Sequence, residues 1–163
     1  MAAVAIEAGA GPGLGISLRS QAGFGIVVLR GELDISCAPA LREQLLAAEQ
    51  LLAAARPGAT RLVADLSGVS RADVSGLTVL LGAAHRARRH GGFLRLAGPL
   101  PAVADVLRST GLQRHFEIYP TTAAAISGPP AEGPREPGRD PGHRGRYPAG
   151  RAHAAAVAAA DIR

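Results

Sequence analysis

Apolar and polar residues alternate around Ile16 and Leu18, and Phe24-Gly25-Ile26-Val27-Val28-Leu29-Arg30-Gly31 is a β-branched run that ends in glycine. Together they predict two strands joined by a hairpin near Gln21-Ala22-Gly23. After Glu32-Leu33-Asp34 the period lengthens. Leu41, Leu45, Ala48 and Leu52 fall at helical spacing, with Pro39 suited to a first turn and Pro57-Gly58 closing the element, so a first helix is predicted over 38–55. Leu62-Val63-Ala64-Asp65-Leu66 reads as a short covered strand broken by Ser67-Gly68. From Ser75 a second helix places Leu77, Leu80, Leu81 and Ala84 on one stripe and ends at Gly91-Gly92. Phe93, Leu94 and Leu96 predict another strand, and Pro101 opens a third helix carrying Val103, Val106 and Leu107, with Gly111 at its left-handed cap. Phe116, Ile118 and Tyr119 form a final strand, and 121–126 a last helical turn or two.

The order ββαβαβαβα places helices between strands and predicts an α/β fold, a mixed and mostly parallel sheet of four to five strands. Residues 1–14 are small and glycine-rich and predict a flexible arm; 15–127 form the domain. From 128 to 163 the chain is rich in Pro, Gly, Arg and Ala, which predicts disorder with a transient helix at 152–160.

Composition narrows the function. Hydrophobic residues are 47% of the chain but aromatics only 3%, so the core is aliphatic. Every one of the 18 basic residues is arginine, a bias that follows a GC-rich coding sequence as much as physics. The net charge of +5 would suit nucleic acid or an acidic membrane, yet six arginines lie beyond residue 128 beside four acids. The rest has twelve arginines against nine acids, an ordinary balance for a soluble domain, and neither partner class is predicted. One cysteine, Cys37, excludes an internal disulfide and points to a reducing compartment. No apolar run approaches the roughly 18 residues of a membrane span, and the first fifteen residues lack the pattern of a secretion signal. A cytoplasmic location is expected.

The familiar catalytic patterns lack their context. The glycines at 9, 11, 13 and 15 follow no predicted strand and are interrupted by Pro12, and a phosphate loop needs a lysine that the chain does not have. His85 and His90 are five apart, which does not place two metal ligands on one helical face. No Gly-x-Ser-x-Gly elbow occurs. Asp34, Asp65 and Asp73 lie at or just after strand ends, where they either gather as a Mg²⁺ site or cap helices and turns; capping is the preferred reading. Arg86-Ala87-Arg88-Arg89-His90 suits the negative end of a helix better than a phosphate site. Cys37, just before the first helix, is read as a structural thiol. No cofactor or metal is predicted, and no enzymatic activity.

Ser75 stands out. It sits where a helix begins, so its hydroxyl lies beside unsatisfied backbone N–H groups and the positive end of the dipole, which favour an anion. A plain N-cap serine, worth about 1 kcal/mol, is the structural alternative. Gly76 is a poor helix former whose missing side chain would let another protein approach the hydroxyl. A phosphate there adds about −1.5 to −2 charges that the helix tolerates, so it would switch a surface without unfolding the domain. Thr78, Val79, Gly82, Ala83 and Arg86 are predicted to continue that surface along the second helix, away from the leucine stripe.

Gly31-Glu32-Leu33-Asp34, Ala38-Pro39-Ala40-Leu41, Val63-Ala64-Asp65-Leu66-Ser67-Gly68-Val69, Asp73-Val74-Ser75-Gly76-Leu77 and Val106-Leu107-Arg108-Ser109-Thr110-Gly111-Leu112 resemble, in that order over about 14–127, the STAS domains of bacterial anti-sigma factor antagonists. The resemblance implies helices mainly on one face of the sheet and a partner-switching role. The unphosphorylated protein binds an anti-sigma factor that is also a serine kinase and frees a sigma factor; phosphorylation of the serine matched by Ser75 breaks the complex, and a phosphatase of the PP2C type restores it. Asp34 and Asp73 match acidic positions around that serine. Val74 stands where a second serine is common, and Cys37 replaces a threonine, so the first helix loses its cap unless Ser36 supplies one. The tail has no counterpart. A constitutive scaffold or transport-accessory STAS module is the alternative, which the intact Asp-x-Ser-Gly disfavours.

Overall fold

The computed structural model describes residues 6–9, 13–55 and 58–129. Six strands lie side by side in chain order: β1 (Ile6–Gly9), β2 (Leu14–Gln21), β3 (Phe24–Leu33), β4 (Arg61–Ala72), β5 (Phe93–Ala97) and β6 (Glu117–Tyr119). The pairs β1–β2 and β2–β3 are antiparallel, and β3–β4, β4–β5 and β5–β6 are parallel. Helices α1 (Ala38–Ala55), α2 (Val74–Arg89), α3 (Pro101–Ser109) and α4 (Thr122–Ser127) supply the crossovers and the last element. This is the mixed α/β architecture that the change of hydrophobic period predicts.

The apolar stripes decide the layers. Leu41 and Leu45 of α1, Leu77 and Leu80 of α2, and Val103 and Leu107 of α3 pack with Ile16, Leu29, Leu62, Leu66 and Leu96 on one sheet face. Each leucine taken fully out of water there contributes about 1.5–3 kcal/mol. Among the described residues the other face carries only α4, whose Ala125 packs with Ile26, Val28, Val63 and Ala97. Helices therefore lie mainly on one face.

Three features depart from the sequence reading. Ile6–Gly9, expected within a flexible arm, is a sixth strand that pairs Ile6 with Leu18 and Gly9 with Gly15. The composition argument weighs side-chain burial, whereas an added edge strand is held by main-chain hydrogen bonds to β2. Residues 1–5 and 10–12 of that arm, and the tail from 130 onward, lie outside the described residues.

Second, β4 does not stop at Leu66 but continues to Ala72, pairing with β3 as far as Leu33. Leu66-Ser67, opposite the single residue Leu29, is a bulge, with the register shifting between Val28–Asp65 and Arg30–Gly68. Leu66 and Val69 both stay in the helix-side core, so the extra residue keeps the apolar phase and leaves Ser67 and Gly68 both exposed.

Third, Arg95 lies in the apolar run of β5 with 1% of its surface exposed. Its guanidinium bonds the Glu117 carboxylate at 2.9 Å, the carbonyls of Ala125 at 2.6 Å and Gly128 at 3.4 Å, and that of Pro129. The same group stacks over the rings of Phe93 and Tyr119. A buried cation is stable only when paired and hydrogen-bonded, and here it closes the end of α4.

Candidate functional site at the mouth of helix α2

A single residue, Asp73, joins β4 to α2. Its N–H donates to Leu33 O at 2.9 Å, tying the joint to the end of β3. With φ −115° and ψ 174° it is the N-cap, and its Oδ1 accepts the Gly76 N–H at 3.0 Å while its carbonyl accepts Leu77 N–H at 3.1 Å. Ser75 is therefore the second helical residue rather than the cap, which corrects the structural alternative weighed for it. With Gly76 and Leu77 N–H already bonded, the Val74 and Ser75 N–H groups remain as the helix's open donors. Thr78 Oγ1 donates to Val74 O at 2.6 Å, and the half-buried Ser75 hydroxyl makes no hydrogen bond among the described residues.

Gly76 has a different role from the one expected. It is buried, and a Cβ at this position would lie 2.6 Å from Leu33 Cγ and 2.7 Å from Leu33 O. The missing side chain admits this chain's own β3, not a partner's backbone, and sets the helix mouth tightly against the sheet.

Asp34 organises the facing turn between β3 and α1. Its Oδ1 accepts from Ser36 N–H at 2.9 Å, Ser36 Oγ at 2.5 Å and Cys37 N–H at 3.4 Å. The bond from the Ser36 hydroxyl, ahead of the two backbone donors, holds its carboxyl below the usual aspartate value. Ser36 is thereby turned to Asp34 and does not cap α1. Cys37 occupies the position before α1, its Sγ donating to Asp34 O at 3.0 Å and accepting Asp34 N–H at 3.3 Å. The thiol is 1% exposed, and burial pushes its pKa up, which fits a structural group.

Asp34 and Asp73 come together with Glu32, Leu33, Arg71 and Ala72 around a depression of about 130 Å³ at the ends of β3 and β4. Asp65 does not join them. Its Oδ1 accepts from Ser67 N–H and Oγ, so it serves a turn away from the other two. Among the described residues no three His, Cys, Asp or Glu side chains converge on one point.

The surface expected along α2 is narrower than its spacing predicts. Thr78 is exposed and Gly82 half-buried, but Val79 packs partly on the core and Ala83 is fully buried. Arg86 is bound to Glu49 of α1 by bonds of 3.0–3.3 Å and belongs to the helix–helix contact. Because α1 flanks α2, the helix is covered on two sides and Ala83 falls inside. Two apolar residues that the sequence reading passed over stand out instead: Ile35, 71% exposed, in the Asp34 turn, and Val74, 50% exposed, next to Ser75. The signal was available, since an isoleucine between Asp34 and Ser36 has no core to enter in a polar turn.

The family model of the STAS domain matches residues 15–125. Among solved structures, an anti-sigma factor antagonist from Mycobacterium paratuberculosis is 26% identical, with a TM-score of 0.60, over 69% of this chain and 91% of that one. The anti-sigma factor antagonist SpoIIAA in its unphosphorylated form is 24% identical, with a TM-score of 0.56, over 68% and 92%. The murine anion transporter Slc26a9 is 22% identical with a TM-score of 0.52, and the match covers 66% of this chain but 18% of the transporter. A search of curated protein sequences gives no match.

Proposed function

Since this chain belongs to the STAS domain family, we propose that it is an anti-sigma factor antagonist that works by partner switching, with Ser75 as the phosphate acceptor. Unphosphorylated, it binds an anti-sigma factor with serine kinase activity and so frees a sigma factor; the chain itself catalyses nothing. It acts in the cytoplasm, and a PP2C-type phosphatase resets it.

The observation that carries this reading is the Ser75 hydroxyl: half-buried, without a hydrogen bond among the described residues, at the second position of a helix, and flanked by the exposed apolar Val74. Two structural neighbours support it, since both are anti-sigma factor antagonists. So does SpoIIAA in its phosphorylated form, 23% identical with a TM-score of 0.52.

The physics of the switch follows. Val74 and Ile35 lose exposed apolar area when a partner covers them, which favours the complex. A phosphate on Ser75 sits at the positive end of α2, so the fold accepts it. Its charge of about −2 then stands in the interface beside Val74, and a partner must strip its water without an apolar surface able to repay the loss. Among the described residues lining this edge Arg71 is the one cation, beside Asp34 and Asp73.

The test is incubation of the full chain with ATP and candidate anti-sigma kinases of the same genome, followed by mass spectrometry. Phosphate on Ser75 that disappears in Ser75→Ala, together with a complex that survives ATP only in that variant, is the expected result. A stable complex with no phosphate transfer would overturn the switch in favour of a constitutive module.

A further inference from the structure

The sheet face opposite α1–α3 holds a second polar place, remote in role from Ser75. Ser17 and Arg19 of β2, Val28 and Arg30 of β3, and Asp65, Ser67 and Gly68 of β4 line an open depression of about 490 Å³. The register explains its shape. Ser17, Val28 and Asp65 stand in one row across three strands; the row on one side begins at Arg19 and the row on the other contains Arg30 and Gly68. The two arginine rows are four residues apart, about 13 Å, so the arginines stand at opposite ends of a floor whose central row holds Val28.

The bulge in β4 shapes one wall. It turns Ser67 and Gly68 to the same face, and the Arg30 stem lies across Gly68, where a Cβ would come within 2.8 Å of Arg30 Cγ. Asp65 is oriented by the Ser67 N–H at 3.0 Å and the Ser67 hydroxyl at 2.7 Å, both on Oδ1, which leaves Oδ2 to accept from something else. Arg19 and Arg30 form no ion pair among the described residues, unlike Arg86, Arg95 and Arg108. Other surface arginines are unpaired too; these two are set apart by bracketing a walled hollow that holds an oriented carboxylate.

We propose that this hollow binds a small phosphate ester that carries hydroxyl groups, of the sugar-phosphate class. Two guanidinium forks suit a phosphate through paired charged hydrogen bonds. An acceptor-only carboxylate, with the Ser17 hydroxyl beside it, suits ligand hydroxyls. The combination excludes the simpler ligands: a bare polyanion meets the Asp65 charge, and a neutral sugar leaves both cations without a partner. The site shares no residue with the Ser75 edge and does not depend on the partner-switching reading.

The test is calorimetric titration of the full chain with ribose 5-phosphate, inorganic phosphate and ribose, with amide shifts followed by NMR. Ribose 5-phosphate is expected to bind saturably and shift Ser17, Val28 and Gly68. Arg30→Gln and Arg19→Gln should each weaken it at least tenfold, and Asp65→Asn about threefold. Arg42→Gln on α1 removes the same charge elsewhere and should change binding less than twofold, as should Ser75→Ala, so this site and the Ser75 reading fail separately. The proposal is overturned by absence of saturable ribose 5-phosphate binding, by inorganic phosphate binding as tightly, or by Arg42→Gln weakening binding as much as Arg30→Gln.

Discussion

Arg95 and Ser75 are two polar groups set into one small domain, and the chain treats them in opposite ways. Arg95 is sealed under α4 with its donors bound to a carboxylate and three carbonyls. Ser75 is left half open, with its hydroxyl unbonded among the described residues and the cap function given to Asp73. A buried group that is fully satisfied fixes geometry, and its loss is felt by the whole fold. A group left unsatisfied at a helix mouth adds little to stability and remains available to a ligand or a modifying enzyme. The contrast separates what holds this domain together from what it offers to others.

The sharpest way to break the contrast is Arg95→Ala. It should cost about 3 kcal/mol by leaving carbonyls at the end of α4 without donors, read as a lower urea midpoint. A loss below about 1 kcal/mol would show that this centre is not structural. Gly76→Ala comes next, at about 2 kcal/mol, because the added methyl meets the Leu33 main chain as well as its side chain, and the main chain cannot give way. A neutral result would mean the helix mouth is loose and Ser75 is not held in place. Asp73→Ala should cost about 1 kcal/mol by removing the cap, again by urea melts.

Ser75→Asp should fall within about 0.5 kcal/mol of the parent in stability while weakening partner binding at least tenfold. An unfolded variant would move Ser75 to the structural side of the contrast. The smallest effect concerns pH. The folded-state pKa of Asp34 is depressed by the Ser36 hydroxyl, so its contribution is present above the unfolded aspartate value and is lost as pH falls through the lower folded value. Acid melts of Asp34→Asn should therefore converge with the parent at the acid end and differ at neutral pH.

Much of the helix-side layer was legible because stripes such as Leu77, Leu80 and Ala84 report a period that tertiary packing reinforces. What stayed hidden had local chemistry identical to something commoner. Ser67-Gly68 has turn residues, and the bulge at Leu66-Ser67 takes them in without ending the strand. Arg95 is one charge in an apolar strand, and its partners come from residues 22 to 34 positions later. Ala83 is small enough to sit on either side of a helix, so only the presence of α1 beside α2 assigns it to the core. At the site, the place of Ser75 at the mouth of the helix was readable from the pattern, whereas Asp34 and Asp73 were set beside it only by the resemblance to STAS domains. The role of Gly76 was not readable, because the surface it faces is the end of β3, more than forty residues earlier in the chain.

The one-residue joint between β4 and α2 carries a further consequence for any enzyme that acts on Ser75. Kinases that thread an extended peptide through a cleft need a substrate segment they can pull free, and this serine has no slack on either side: a twelve-residue strand precedes the joint and a sixteen-residue helix follows it. Such an enzyme must accept a folded surface and bring its own loops to the hydroxyl. Substrate choice then rests on the three-dimensional relief of the domain, and short sequence motifs copied into an unstructured peptide would make a poor imitation of it.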